Sequence, residues 1–213
     1  MQAHLLGNPD SNTILIQMVD DHDLEDIDSE FRLIKEATSE DFALLAVKVG
    51  DWNHDLSPWE AAPVFGNVPF GDGASDTLSR LIDEIIPKYC RKNSRLYIGG
   101  YSLSGLFALW AAYNCNLFKG VAAVSPSAWF PGFVEYAETN RVHTESVYLS
   151  LGDKEEKTRN PVMATVGSSI RQLHAHYVGA GIPCVLEWNE GNHFREPDVR
   201  TAKGFSWLLN QKA

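Results

Sequence analysis

Three cysteines in 213 residues (Cys90, Cys115 and Cys184) are too few and too irregularly spaced for a disulfide framework or a thiolate metal site. They read as reduced thiols of a cytoplasmic protein. Basic residues are also scarce, with 18 Lys and Arg against 28 Asp and Glu, a net charge of −10. That balance argues against a nucleic-acid surface and against attraction to anionic membranes. The longest apolar run, near residues 103–113, is too short to span a bilayer. The N-terminus shows no basic head followed by an apolar stretch, so no secretion signal is expected. No repeat, low-complexity tract or linker divides the sequence. The expectation is one domain over residues 1–213, without cofactor or metal, a monomer or homodimer with no nucleic-acid or membrane partner.

What is present is an alternation of strand and helix patterns. Strand-like runs lie at Thr13–Val19, Phe42–Val49, Arg95–Gly99, Gly120–Val124, Val147–Leu151 and Pro183–Trp188. Several are almost continuously apolar, as strands covered on both faces must be. Between them, Leu78, Leu81, Ile82, Ile85, Ile86 and Tyr89 recur at helical spacing, as do Met163, Val166, Ile170, Leu173 and Tyr177. Pro197 suits the first turn of a last helix, and a helix from about Leu24 to Ala37 is also expected. The pattern predicts an α/β protein with a mostly parallel sheet of about six strands. Residues 50–74 fit no period, yet carry Trp52 and Trp59, and read as an ordered lip over a site.

Chemistry enters at Gly100-Tyr101-Ser102-Leu103-Ser104-Gly105, between the apolar strand run ending at Ile98 and the helix run Leu106–Trp110. A serine on a tight strand-to-helix turn with small residues two positions away on each side forms a nucleophile elbow. Ser102 is the expected nucleophile. Ser104 is weaker, because the residue two beyond it is the bulky Leu106. A serine hydroxyl needs a base, and the base needs an orienting carboxylate. His193, in a loop after the last strand and before the last helix, is the expected base. The carboxylate should follow the Val147–Leu151 strand, where Asp153, Glu155 and Glu156 are all available. The oxyanion hole would use the N–H of Leu103 and a second donor after the first strand, at Asp20, Asp21 or His22, with Asp21 preferred. Trp52, Trp59 and Trp129 are candidate substrate-binding residues. The acidic run Asp20–Glu30 lacks the glycine and glutamate spacing of a calcium loop and reads as a solvated helix start.

These segments, with Leu151-Gly152-Asp153-Lys154-Glu155-Glu156, Gly191-Asn192-His193-Phe194 and Asp51-Trp52-Asn53-His54-Asp55-Leu56-Ser57-Pro58-Trp59, resemble the esterase branch of the α/β-hydrolases. That branch includes esterase D, feruloyl esterases and enterochelin-type siderophore esterases. The resemblance spans about residues 13–210 and implies a three-layer α/β-hydrolase fold without a cap domain. It implies a serine hydrolase that cleaves small-molecule carboxylic esters through an acyl-enzyme. It also favours Glu155 as the acid, since relatives place theirs about three residues past the glycine ending that strand. The sequence departs from the family at Ser104, usually glycine, in using glutamate as the acid, and in having no glycine in the loop after Val19. It is also expected to lack the family's N-terminal strands, its sheet starting at Thr13. An acyltransferase, a peptidase or an inert binding protein on the same fold is the alternative.

Overall fold

The computed structural model describes residues 1–211. Its centre is a seven-stranded sheet, β1 (Gln2–Gly7), β2 (Thr13–Val19), β3 (Ala43–Lys48), β4 (Arg95–Tyr101), β5 (Phe118–Val124), β6 (Ser146–Gly152) and β7 (Cys184–Asn189). The order across the sheet is β1-β3-β2-β4-β5-β6-β7, parallel except for β1, which pairs antiparallel with β3. The expectation that the sheet starts at Thr13 is corrected here, because β1 adds an edge. Its residues are only half-buried or exposed and mix His4 and Gln2 with Leu5 and Leu6, so no apolar run announces it.

Helices α1 (Asp21–Ala37) and α8 (Pro197–Leu209) lie together on one face. They bury Ile27, Ile34, Phe205 and Leu208 against Leu15, Val19 and Leu44. The other face receives Ile14, Ile16, Met18, Leu45 and Val47, packed by α5 (Leu103–Asn114), α6 (Phe133–Thr139) and α7 (Val166–Gly179). The two faces thus take alternate residues of the same strands, which is why the strands read as unbroken apolar runs. Every residue of α5 except Asn114 is buried, so that helix has no polar face.

The helix expected around residues 78–89 begins as α3 (Ala74–Arg80), widens into a π-helical turn at Leu81–Ile85 and finishes as α4 (Ile86–Tyr89). Pro87 explains the widening. It has no N–H to give, and its ring would press on the preceding turn of a regular helix. The N–H of Ile86 bonds instead to the carbonyl of Leu81, five residues back.

From β2 the chain crosses to β3 on one side and then returns to β4 on the other. Where parallel connections diverge, the carboxyl ends of neighbouring strands leave a crevice. Ser102 follows β4 at that switch point. Residues 50–74 are ordered beside it. They form the short helix α2 (Trp52–Asp55) and an isolated bridge between Ala61 and Phe70. Gly71 and Gly73 wrap His54 so closely that a Cβ at either would stand within 2.5 Å or 2.6 Å of its ring. No helix among the described residues is long and apolar enough to cross a membrane.

Candidate active site

Ser102 has φ 58° and ψ −121°, a backbone conformation that costs a non-glycine residue about 1–3 kcal/mol and persists only where the surroundings enforce it. The enforcement is visible on both sides. Ser102 N–H donates to the carbonyl of Val124, and its own carbonyl accepts from Leu106 and Ser127. Gly100 must lack a side chain, since a Cβ there would lie 2.7 Å from Ser104 Cβ. Ser104, the departure from glycine, is buried and donates its hydroxyl to the carbonyl of Met18 at 2.7 Å. It ties the elbow to the end of β2.

Ser102 Oγ lies 3.0 Å from His193 Nε2, and His193 Nδ1 lies 2.7 Å from Glu155 Oε2. A carboxylate beside Nδ1 requires the proton there, which leaves Nε2 free to accept from the serine hydroxyl. The three side chains come from β4–α5, the 3₁₀ turn after β6, and the loop after β7. Backbone bonds zip the last two together. Gly191 N–H donates to Asp153 Oδ1 at 2.7 Å, Lys154 N–H to Gly191 O at 3.0 Å, and Asp153 N–H to Asn189 O at 2.8 Å.

The three carboxylates expected as alternatives therefore have three separate partners. Asp153 holds the Gly191 turn, and that backbone hydrogen bond lowers its carboxyl below the usual range. Glu156 faces away and makes a two-pronged pair with Arg171 at 3.0 and 3.1 Å. Arg171 in turn lies over the Trp188 ring. Only Glu155 reaches His193. Its side chain is 5% exposed. Burial alone would push its carboxyl up, but hydrogen bonds from His193, Ser125 and Gly152, with the field of His193, bring it below the ordinary value. Glu155 Oε1 accepts from Gly152 N–H and Ser125 Oγ, both at 2.7 Å.

Sequence reasoning missed three further members of this network, Arg200, Tyr101 and Ser125. Arg200 of α8 is 2% exposed. It donates to Glu155 Oε1 at 3.3 Å, Tyr101 Oη at 3.2 Å and the Glu190 carbonyl at 2.9 Å. The Tyr101 hydroxyl donates to the His193 carbonyl at 2.7 Å. Arg200 thus ties the acid to the histidine loop, directly at Glu190 and through Tyr101 at His193. Ser125, at φ 42°, is held in a left-handed conformation that aims its hydroxyl at Glu155.

Leu103 opens α5, so its N–H has no helical acceptor and lies directly after Ser102. The turn into α1 is less open. Asp20 N–H donates to Asp23 Oδ2 in a reciprocal capping box. The Asp21 side chain is 84% exposed and pairs with Lys48. It does not line the cavity above Ser102.

That cavity, about 330 Å³, has Ser102, Ser125, Glu155 and His193 at its floor. Its walls are Phe65, Pro126, Trp129, Met163, Val166 and Phe194. Of the three tryptophans expected there, only Trp129 takes part. Trp59 instead donates its indole N–H to the Pro131 carbonyl at 2.9 Å and packs on Phe130 and Tyr136, clamping the long loop to the segment after β5. Trp52 opens α2 and packs against the core. The long loop reaches the cavity through Phe65. Proximity of Phe194 to His193 in sequence was the one available signal for the missed wall.

A serine elbow at the switch point of a mainly parallel sheet, with a histidine and a carboxylate from later loops, defines an α/β-hydrolase. Within that class the chain belongs to the "Putative esterase" family, which matches residues 19–196, and is a carboxylesterase-type hydrolase. Among curated protein sequences there is no significant match. Among solved structures, the siderophore hydrolase EstA of Aspergillus nidulans is 20% identical with a TM-score of 0.69, over 95% of this chain and 84% of that one. The enterobactin esterase FES of Shigella flexneri is 13% identical with a TM-score of 0.66, over 97% of this chain and 54% of that one. The capsule O-acetyltransferase of Neisseria meningitidis serogroup A is 12% identical with a TM-score of 0.59, over 98% and 91%. At these identities the likeness is one of fold.

Proposed function

We propose that the protein hydrolyses small-molecule carboxylic esters by two-step acyl transfer through Ser102. Ser102 Oγ attacks the ester carbonyl while His193 Nε2 takes its proton. Glu155 keeps Nδ1 protonated and stabilises the imidazolium. The N–H of Leu103, at the positive end of α5, receives the developing oxyanion. With the N–H of Asp20 committed to Asp23, the second donor falls to the start of α1, Asp21 or His22. His193 returns its proton to the departing alcohol, then activates water to clear the acyl-enzyme.

The observation that carries this reading is the continuous line of contacts from Ser102 Oγ through His193, at 3.0 Å, to Glu155, at 2.7 Å. The test pairs p-nitrophenyl butyrate hydrolysis with fluorophosphonate labelling. Wild type turns over the ester and is labelled once, at Ser102, whereas Ser102→Ala does neither. A folded wild type that is inert to both reagents would overturn the proposal. Transfer of the acyl group to an added alcohol in preference to water would replace hydrolysis by acyl transfer on the same serine.

A further inference from the structure

The four polar residues at the cavity floor are committed to one another. Ser125 donates to Glu155, Glu155 holds His193, and His193 accepts from Ser102. Arg200, the buried cation of the site, is turned to Glu155 and to the carbonyl of Glu190. The wall side chains are apolar apart from the indole N–H of Trp129, a neutral donor, and no lysine or arginine lines the space. A charged arm of a substrate would therefore find no counter-ion there, inside a chain of net charge −10.

Two of the walls are themselves uncovered. Phe194 is 86% exposed and stands edge-on to the His193 ring at 5.5 Å. Phe65 is 51% exposed and meets Trp129 edge-on at 6.1 Å. Large exposed apolar groups converging on one mouth are informative in a way that scattered ones are not. Both face the space directly above Ser102, so a molecule bound there is what removes them from water. The volume, about 330 Å³, lies at the small end of ligand pockets and suits one arm of an ester rather than a large molecule.

We infer that this cavity binds an uncharged apolar arm of the ester, a medium aliphatic chain or an aryl group, between Phe65, Trp129, Met163 and Phe194, and excludes arms bearing a carboxylate or phosphate. The inference rests on the reading of Ser102 as nucleophile. Phe194 is its specificity-determining residue: its ring covers the arm from the solvent side.

The test measures kcat/KM for two series, p-nitrophenyl acyl esters from acetyl to dodecanoyl and acetates of alcohols of increasing length. A third comparison sets the p-nitrophenyl ester of monomethyl glutarate against that of glutarate with its free carboxylate. In one of the two series kcat/KM should climb by up to about fourfold per methylene until the cavity is full. The free carboxylate should lower it at least tenfold relative to the methyl ester. Met163→Trp should move the optimum to shorter arms. Phe194→Arg, placing a cation at an exposed position, should shrink the penalty on the carboxylate by about tenfold. If both length series are flat, or the carboxylate is preferred by the wild type, while fluorophosphonate still labels Ser102, the cavity assignment falls and the hydrolase reading stands. If no ester is cleaved and Ser102 is not labelled, both fall.

Discussion

Arg200 is the residue whose removal tests the electrostatics of the site most directly. Arg200→Met keeps much of the length and apolar stem but leaves Glu155 with no buried cation. Glu155 would retain the hydrogen bonds from Gly152, Ser125 and His193. Removing one partner of a buried pair costs about 3–5 kcal/mol when nothing else supports the survivor, and the remaining donors place this case near the low end, about 3 kcal/mol. Against total stabilities of about 5–15 kcal/mol, the variant should fold but denature at clearly lower urea. The sign with pH follows from Glu155. Its folded pKa lies below the unfolded value, so its contribution is present above the unfolded carboxyl range and is lost as pH falls through the folded value. Losing the cation raises the folded pKa and removes part of that contribution. The destabilisation should therefore be largest at pH 7–8 and shrink towards pH 4. Activity should fall as well, because Arg200 holds Glu155 and the Glu190 carbonyl of the histidine loop in place. Arg200→Lys keeps the charge without the fork that reaches Glu190 and Tyr101, and should fall between. A stability loss equal at pH 4 and pH 8 would mean that the guanidinium acts by packing alone.

Glu155→Gln should lower kcat by about 10³–10⁴-fold, because the histidine loses its tautomer and its counter-charge. Asp153→Asn, which keeps an acceptor for Gly191, should stay within about tenfold of wild type; the reverse ranking would move the acid to 153. Gly100→Ala forces its methyl onto Ser104 and should destabilise by about 1–3 kcal/mol in urea titrations, with part of the loss recovered on adding Ser104→Gly. Burial pushes the thiol of Cys90 up to about 11 and that of Cys184 to about 12, and raises Cys115 too. All three should react slowly with a disulfide reagent at pH 8 in the native protein and fully after denaturation. One rapid equivalent in the native state would contradict that.

The amino-acid order alone specified most of the scaffold. Runs such as Ile14-Leu15-Ile16 and Val121-Ala122-Ala123-Val124 are apolar on both parities, as strands covered on two faces must be. Gly100 and Ser104 around Ser102 announce a turn too tight for larger side chains, and the position of His193 between the last strand and last helix follows from counting elements. Tertiary structure decided what periodicity does not encode. Asp153, Glu155 and Glu156 are equivalent as letters, and which one meets His193 depends on how two loops are zipped through Gly191. Arg200 looks like any basic residue of a surface helix until α8 folds over the loop ends and buries it. β1 exists because an exposed, mixed stretch finds an open edge at β3, a pairing that no local pattern carries. Phe65 and Phe194 are far apart in the chain, and they become walls of one cavity only when the loops after different strands gather at the same end of the sheet. Local pattern is set by the nearest few residues, whereas hydrogen-bond partners and burial depend on groups a hundred positions away.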